Sequence, residues 1–168
     1  MDRVKESIFN VLGDQIIGAN VLDLFAGSGS LGIEALSREA EKVYFVDKSN
    51  SSINLIKKNL LFFNKFSDII AKYKIIKSDA AKFISEFDDF IWDIIFLDPP
   101  FKIESLYMKK IFDILYNSKI INENSVIIYE FFFKRDFECE IGSFTVIKTS
   151  SFGEKKVIYL AKKQEGLI

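Results

Sequence analysis

The hydrophobic positions of this chain fall into two alternating kinds of segment. Short runs rich in Val, Ile, Tyr and Phe are separated by longer segments in which apolar residues recur at helical spacing. This alternation is typical of repeated strand-helix units, which build a parallel sheet with helices on both faces. It predicts strands at Asn20–Phe25, Lys42–Asp47, Tyr73–Ser78, Asp93–Asp98, Ser125–Phe131, Ser143–Thr149 and Lys156–Ala161.

The predicted strands differ in their surroundings. The first five consist mainly of apolar residues, so we expect them to be buried on both faces. The last two are separated by the turn-rich stretch SSFGEKK and are predicted to form an antiparallel hairpin at the sheet edge. The expected architecture is a Rossmann-like α/β fold: a mostly parallel seven-stranded sheet with an antiparallel carboxyl-terminal hairpin.

Three helices are indicated by apolar residues that share one helical face. Their predicted buried residues are Val4, Ile8 and Val11 or Leu12 in the first, Ile53, Ile56, Leu60 and Phe63 in the second, and Tyr107, Ile111 and Ile114 in the third. The pattern contains no repeats, linkers or low-complexity tracts. The 168 residues are therefore expected to form a single domain.

The amino-acid composition excludes several classes of catalytic and metal-binding site. A chain with 0 histidines cannot perform Ser-His-Asp hydrolysis or bind zinc through histidine. Cys139 is the single cysteine, so neither a disulfide framework nor a thiol metal site is expected. The charged amino terminus and the short apolar runs predict a cytoplasmic protein without a membrane span. With a net charge of -1, a nucleic-acid partner would need a local basic patch.

The first predicted strand runs into DLFAGSGSLG, residues 23–32, which carries a cofactor-binding glycine pattern. Gly27, Gly29 and Gly32 satisfy the spacing G-x-G-x-x-G between a strand and a helix. Asp47 ends the second strand about twenty residues after the first glycine, where an acid that binds ribose hydroxyls belongs. A tight turn without a ligand is the simpler alternative, but the placed acid favours an adenosine-containing cofactor.

The glycine pattern is compatible with two cofactors, and Asp23 indicates which of them binds. NAD would place a pyrophosphate at the glycines, whereas S-adenosylmethionine carries an ammonium group and a cationic sulfur. A carboxylate at the end of the first strand repels the former and attracts the latter, which favours S-adenosylmethionine. Asp79, after the third strand, is placed to accept a hydrogen bond from an adenine amino group or to cap a helix, and both roles can coexist.

The chain contains 2 prolines, and both follow the fourth predicted strand in WDIIFLDPPF. In doubly wound sheets the first and fourth strands are neighbours, so the glycine loop and DPPF are expected to face each other. Pro99 and Pro100 restrict the backbone and hold Asp98 in a rigid loop. The Asp98 carboxylate and the Pro99 carbonyl are predicted to accept the hydrogens of an exocyclic amino group, while Phe101 stacks on its base. A strand-ending turn without chemistry is the alternative.

Five segments together resemble the RsmD family: DLFAGSGSLGIEALSR, FVD, SDA, LDPPF and the opening DRVKESIFNVL. That family consists of bacterial methyltransferases that modify a guanine amino group in 16S ribosomal RNA. The resemblance runs from the first residues to the SFGEKKV hairpin and implies a class I methyltransferase fold. DPPF alone is shared with DNA adenine methyltransferases, whereas the DRVKE and ALSR helices are more specific.

The resemblance implies a role for each residue of the site. The implied cofactor-binding residues are Asp23, Phe25, Ala26, Gly27, Ser28, Gly29, Asp47, Lys48, Asp79 and Ala80, and the implied catalytic residues are Asp98, Pro99, Pro100 and Phe101. It also implies S-adenosylmethionine as the cofactor and no metal. The implied partner is 16S ribosomal RNA in an assembled or assembling small subunit, modified by a monomeric enzyme.

One departure from the family concerns RNA binding. Family members usually carry a Gly- and Arg-rich segment ending in Arg-Pro-Thr ahead of DRVKE, whereas this chain begins with Met1 directly before Asp2. We therefore expect either that the true start of the protein lies upstream of Met1 or that the protein is shortened and binds RNA more weakly. The remaining candidate contacts to phosphate are Arg3, Lys5, Lys102, Lys134, Arg135 and Lys155.

Three other functions share part of this pattern. A DNA adenine methyltransferase would use DPPF, but we find no separate target-recognition domain in the sequence. A nicotinamide oxidoreductase would use the same glycines. A non-catalytic RNA-binding module would keep the fold without the cofactor, and the intact Asp98 loop argues against it.

Overall fold

The structure is a computed structural model that describes residues 3–64, 73–134 and 137–162. Helices and strands alternate along most of the chain, as the hydrophobic pattern predicts. The helices are α1 (Arg3–Leu12), α2 (Ser30–Ser37), α3 (Asn50–Asn64), α4 (Ala80–Glu86), α5 (Ser105–Asn117) and α6 (Glu138–Ile141). The strands are β1 (Asn20–Leu24), β2 (Lys42–Asp47), β3 (Tyr73–Lys77), β4 (Ile94–Leu97), β5 (Val126–Phe132), β6 (Thr145–Phe152) and β7 (Lys155–Ala161).

The described strands form one 7-stranded sheet in the order β3-β2-β1-β4-β5-β7-β6. The first five strands pair in parallel, and β7 pairs antiparallel with both β5 and β6. The predicted Rossmann-like α/β fold with an antiparallel carboxyl-terminal hairpin is thereby confirmed. Leu24 pairs with both Val46 and Leu97, so the carboxyl ends of β1, β2 and β4 lie next to one another at the same end of the sheet.

Each face of the sheet has its own hydrophobic core. On one face, α1, α2 and α3 pack against β-strand residues that include Val21, Phe45 and Phe96. On the other, α4, α5 and α6 cover residues that include Leu22 and Tyr44. Successive residues of a strand point to opposite faces, and apolar residues at consecutive positions therefore feed both cores.

The expectation that the first five strands are buried on both faces is wrong for β3. Tyr73, Ile75 and Ile76 are only partly buried and Lys74 and Lys77 are exposed, whereas β4 is buried throughout. The reason is its place in the sheet, because β3 is an edge strand that pairs on one side with β2. Lys74 and Lys77, which are exposed, are charged residues of the kind that edge strands often carry.

Two predicted details are shifted. In α5, Ile111 is buried, but Tyr107 and Ile114 are only partly buried because the packed face consists of Met108, Ile111, Phe112 and Leu115. In the hairpin, β6 continues to Phe152 and β7 starts at Lys155, which shortens the predicted SSFGEKK turn to two residues. Within the described ranges, no helix combines the length and the apolar character that crossing a membrane requires.

Candidate active site

A cleft of about 780 Å³ opens where β1, β2 and β4 end. It lies at the switch point between β1 and β4, where ligands of doubly wound folds bind. Most of the residues that the sequence singles out line it: Asp23, Phe25, Ala26, Gly27, Ser28, Asp47, Lys48, Asp79, Ala80, Asp98, Pro99, Pro100 and Lys102. Gly29 is buried behind the loop, and Phe101 lies at the other side of the prolines. The cleft can hold a drug-sized ligand.

The glycine loop, residues 25–29, leaves β1 by a sharp turn. Phe25, Gly27 and Gly29 have positive φ angles of 61°, 55° and 77°. Glycine adopts this left-handed conformation without cost, but an aromatic residue such as Phe25 does so rarely, and such strain clusters at functional sites. The Ala26 amide donates to the Val46 carbonyl at 3.1 Å, which ties the loop to β2.

The third glycine of the pattern serves helix packing. A Cβ atom at Gly32 would lie 2.3 Å from Cε1 of Phe45, a distance that the packed ring cannot accommodate. Gly32 therefore lets α2 approach β2 closely, which is the role of the last glycine in this fingerprint. The resulting position directs the first turn of α2 toward the cleft.

Asp23 is a buried carboxylate at the floor of the cleft, with an exposed fraction of 2%. Its Oδ2 accepts a hydrogen bond from the Gly32 amide at 3.0 Å. The pKa of Asp23 is raised from its usual 3.8 to about 7: burial is the largest cause, the Gly32 hydrogen bond acts against it, and the negative charges of Asp98 and Asp47 add to it. A cation in the cleft would stabilise the charged form of this group.

Asp47 is held by two backbone groups. Its Oδ2 accepts from the Gly27 amide at 3.0 Å, and its Oδ1 accepts from the Ser49 amide at 2.8 Å. The carboxylate therefore links the glycine loop to the end of β2 and has a fixed orientation. Each oxygen keeps a further lone pair, so a ribose diol remains within its accepting capacity.

Asp79 caps α4, which confirms one of the two roles predicted for it. Its Oδ1 accepts from the Lys82 amide at 3.1 Å, and its Oδ2 accepts from the Tyr107 hydroxyl at 2.6 Å. Although partial burial opposes it, these hydrogen bonds hold the pKa of Asp79 below its usual value. Burial, together with the Asp79 carboxylate, raises the pKa of Tyr107 to about 12, so its hydroxyl stays protonated and donates.

Tyr107 is a site residue that sequence reasoning missed. The helical pattern placed it on the core face of α5, whereas the structure places its hydroxyl in the cleft. A polar tip on an aromatic ring at the border of an apolar face is the signal that points to such a position. The glycine and DPPF motifs do not identify Tyr107, because it lies on a separate helix.

The transfer loop, residues 98–101, follows β4 directly. Asp98 is exposed, and the Ile103 amide closes a turn on the Pro100 carbonyl at 2.9 Å. The ring of Phe101 is 67% exposed and contacts the ring of Phe132 edge to face, with centroids 4.5 Å apart. The prolines of the loop also line a smaller neighbouring cavity of about 210 Å³, which we call the side pocket.

The side pocket contains a buried acid that the sequence analysis also missed. Glu130, 8% exposed, lies in β5 between apolar residues and accepts a hydrogen bond from Lys155 Nζ at 2.5 Å. A single charged residue inside the run VIIYEFF is the signal that could have identified it.

The candidate phosphate contacts fall into two groups. Lys102 lines the cleft and Lys134 lines the side pocket, both next to the transfer loop, and Lys155 pairs with Glu130 of the side pocket. Arg3 is exposed at the start of α1, and Lys5 lies 3.0 Å from the Ser30 hydroxyl and 3.8 Å from Glu34. Arg135 lies outside the described residues. The first group is the one close to the loop.

The donor and acceptor set of the cleft fits S-adenosylmethionine. Asp23 offers a buried carboxylate to an ammonium group, and Asp47 offers an oriented one to hydroxyls. Glycine at position 27 adds no side chain to the cleft that it lines. A pyrophosphate at the glycines would meet the charge of Asp23, which disfavours a dinucleotide.

Comparisons with known proteins agree with this geometry. A family model described as "Conserved hypothetical protein 95" matches residues 1–161. The chain belongs to this family. Over 164 residues, which is 96% of this chain and 86% of the relative, it is 32% identical to "Putative rRNA methyltransferase YlbH" of Bacillus subtilis.

The family also includes proteins named for the small ribosomal subunit. A 101-residue segment, 60% of this chain, is 43% identical to "Ribosomal RNA small subunit methyltransferase D" of Haemophilus influenzae and spans 51% of that protein. Among solved structures, "Putative methyltransferase yhhF" from Escherichia coli superposes with a TM-score of 0.83 at 25% identity, over 98% of this chain and 88% of that one. The resemblance to the RsmD family is thereby confirmed, and so is the class I methyltransferase fold.

Proposed function

We propose that this protein is an S-adenosylmethionine-dependent methyltransferase that acts on ribosomal RNA, at the exocyclic N2 amino group of a guanine in the small subunit. The relatives named as ribosomal RNA methyltransferases support the reaction and the class of RNA. The single observation that carries the proposal is the position of Asp98, which lies on the same cleft as the buried Asp23 and the glycine loop.

Three carboxylates and the glycine loop would bind the cofactor. Asp23 would pair with its ammonium group, Asp47 with its ribose hydroxyls, and Asp79 with its adenine amino group, which Tyr107 helps to position. When bound, S-adenosylmethionine supplies an electrophilic methyl group on a cationic sulfur. The backbone hydrogen bonds to Asp23 and Asp47 set these acceptors in place before a ligand arrives.

The transfer loop would position the target amino group. The lone pair of an exocyclic amino nitrogen is delocalised into its base, so it reacts poorly unless the nitrogen becomes pyramidal. The Asp98 carboxylate and the Pro99 carbonyl accept the two N–H groups and favour that geometry. The Asp98 carboxylate is also placed to take the proton that the nitrogen loses, which histidine does in other enzymes.

The substrate particle and the oligomeric state form the finer part of the proposal. Lys102 and Lys134 flank the transfer loop and would contact phosphates of an RNA segment whose target base is flipped out of its helix. A monomer acting on an assembled or assembling small subunit fits this exposed arrangement. In that setting, ribosomal proteins and RNA structure would present the target base.

The test is methyl transfer to three nucleic acids. Small ribosomal subunits from cells that lack the enzyme, the naked 16S RNA and duplex DNA are each incubated with the protein and radiolabelled S-adenosylmethionine. We expect label in the small-subunit RNA, recovered as N2-methylguanosine after nuclease digestion and mass spectrometry. Label recovered as N6-methyladenine from DNA would instead support the DNA methyltransferase alternative, and absence of label from all three would overturn the proposal.

A further inference from the structure

The side pocket lies directly against the transfer loop and next to the cleft. The two cavities share Pro99 and Pro100 among their lining residues. A base at the side pocket would therefore lie beside the transfer loop, with its amino edge directed to Asp98 and the cleft. At about 210 Å³, the side pocket has room for one nucleobase and is too small for a base pair.

The register of the sheet brings Glu130 next to Asp98. Leu97 of β4 pairs with Tyr129 of β5, and Asp98 and Glu130 each follow their paired residue by one position. In adjacent parallel strands such positions are neighbours and point to the same face of the sheet. The two carboxylates therefore lie side by side at the end of the sheet, Asp98 exposed and Glu130 buried.

Glu130 and Lys155 form a pair of acceptor and donor. Lys155 is opposite Phe132 in the β5–β7 ladder, and its Nζ donates to Glu130 Oε1 at 2.5 Å. The Glu130 side chain is 9% exposed and the Lys155 side chain 39% exposed, so the ammonium group faces the solvent side of the acid. A buried carboxylate that is already paired has a fixed direction and keeps further lone pairs for a ligand.

Two aromatic rings form the walls of the side pocket. Phe101 and Phe132 meet edge to face, with an interplanar angle of 74°. Because Phe101 is 67% exposed, the face of its ring is open to a base that enters from solvent. Base-aromatic stacking contributes affinity without selecting among bases, so the selection must come from the polar pair.

The order of polar groups matches one base. The Watson–Crick edge of guanine presents the N2 amino group, the N1–H donor and the O6 acceptor in sequence. With N2 at Asp98, N1–H points to Glu130 and O6 to Lys155. Adenine presents an unprotonated N1 in place of a donor, which a carboxylate repels, and uracil carries no amino group to be methylated.

We propose that Glu130 and Lys155 select guanine in the side pocket by accepting its N1–H and donating to its O6, an inference that rests on the proposed guanine-N2 methylation. A base with an unprotonated N1 would place a lone pair against the Glu130 carboxylate, and such a mismatch at a buried polar group gives strong discrimination. Neither residue lines the cleft proposed for the cofactor.

The test uses the variant Glu130→Gln and a base analogue. First, the position that the unaltered protein methylates is located by mass spectrometry. A small-subunit RNA with 2,6-diaminopurine at that position is then made by ligation and assembled into particles. This analogue keeps the 2-amino group but has an unprotonated N1, which a glutamine amide can donate to and a carboxylate cannot.

We expect the unaltered protein to prefer guanine over the analogue, and Glu130→Gln to lower that preference by about tenfold or more. The matched control is Glu154→Gln, an exposed residue in the turn before Lys155, which should keep the preference of the unaltered protein. Cofactor affinity should be the same in all three proteins. An unchanged preference in Glu130→Gln would overturn the inference while leaving the proposed function intact.

Two further outcomes are decisive. If Glu130→Gln does not fold, Lys155→Gln takes its place, because Lys155 is partly exposed and its loss should reduce the rate on guanine more than the rate on the analogue. Equal loss on both bases would overturn the inference. Absence of transfer to guanine by the unaltered protein would overturn the proposed function itself, and the inference with it.

Discussion

The glycine-loop side and the transfer-loop side of the cleft are built in different ways. On the first side, Asp23 and Asp47 accept backbone hydrogen bonds from Gly32 and Gly27, and Asp23 is 2% exposed. On the second side, Asp98 is exposed and Phe101 is 67% exposed. One side presents acceptors already fixed in place, and the other presents groups open to solvent.

The difference follows from the size of the two proposed ligands. A small cofactor must be bound by the protein alone, so its acceptors are oriented in advance and little ordering remains to be done on binding. A large RNA particle brings its own surface and its own phosphates, and only one flipped base has to enter. Variants on the two sides should therefore separate rate from cofactor affinity.

The largest effect is expected for Asp98→Ala on the transfer-loop side. Loss of one acceptor for the target amino group should reduce methyl transfer by about a hundredfold or more, with cofactor affinity within a few-fold of the unaltered protein. Single-turnover rates on small subunits and calorimetric titration with S-adenosylmethionine measure the two quantities. Transfer at the normal rate would show that the loop has a structural role alone.

Asp98→Asn is the matched variant for that experiment. Its amide oxygen still accepts a hydrogen bond, but it carries no negative charge and accepts no proton. Partial activity would show that positioning of the amino group is sufficient. Complete loss, equal to that of Asp98→Ala, would show that charge or proton acceptance is required.

Next in size is Asp47→Ala on the glycine-loop side. It removes the acceptor proposed for ribose and leaves the Gly27 and Ser49 amides without their partner, so cofactor binding should weaken by about 1–3 kcal/mol. Titration calorimetry provides the measurement. Asp88→Ala, at an exposed acid outside the cleft, is the control and should bind normally. Equal affinities for both variants would remove Asp47 from the cofactor site.

The raised pKa of Asp23, about 7, makes cofactor binding depend on pH. Below pH 7 an ammonium ligand must displace a proton from Asp23, so affinity should rise by up to about tenfold per pH unit and level off near neutrality. Calorimetry in buffers of different ionisation enthalpy should detect a proton released at pH 6. Asp23→Asn should bind more weakly and lose this pH dependence; if the dependence persists, another group is responsible.

The same shift has an opposite consequence for the stability of the free protein. Because the folded-state pKa lies above the unfolded value of 3.8, the folded protein holds a proton that the unfolded chain has released. The contribution of Asp23 to the free energy of unfolding is therefore largest below pH 4 and is lost as the pH rises toward 7. Chemical denaturation of Asp23→Asn beside the unaltered protein isolates this contribution.

The smallest effect is expected for Tyr107→Phe. It removes the hydroxyl that donates to Asp79, which should raise the pKa of Asp79 and weaken cofactor binding by about 0.5–1.5 kcal/mol. Tyr116→Phe, on the same helix but outside the cleft, is the control. If both substitutions leave the affinity unchanged, the Asp79–Tyr107 bond serves only the packing of α4 against α5.

Local sequence determined much of the fold and of the cofactor side of the site. Alternating apolar runs predict the parallel strands because a strand covered on both faces must be apolar at consecutive positions, as β1, β2 and β4 are. The glycine spacing and the acids at the ends of β1 and β2 locate the loop because its turn geometry depends on adjacent residues. The two prolines mark the transfer loop for the same reason.

The tertiary structure alone decided which residues meet across long sequence distances. Tyr107 reaches Asp79 from a helix 28 residues further along the chain, and Lys155 reaches Glu130 from a strand 25 residues away. Neither pair has a local signature, since the contact depends on how α5 and β7 pack. The edge position of β3 is also a property of the sheet, because it depends on how many neighbours the strand has, although Lys74 and Lys77 are typical of an edge strand.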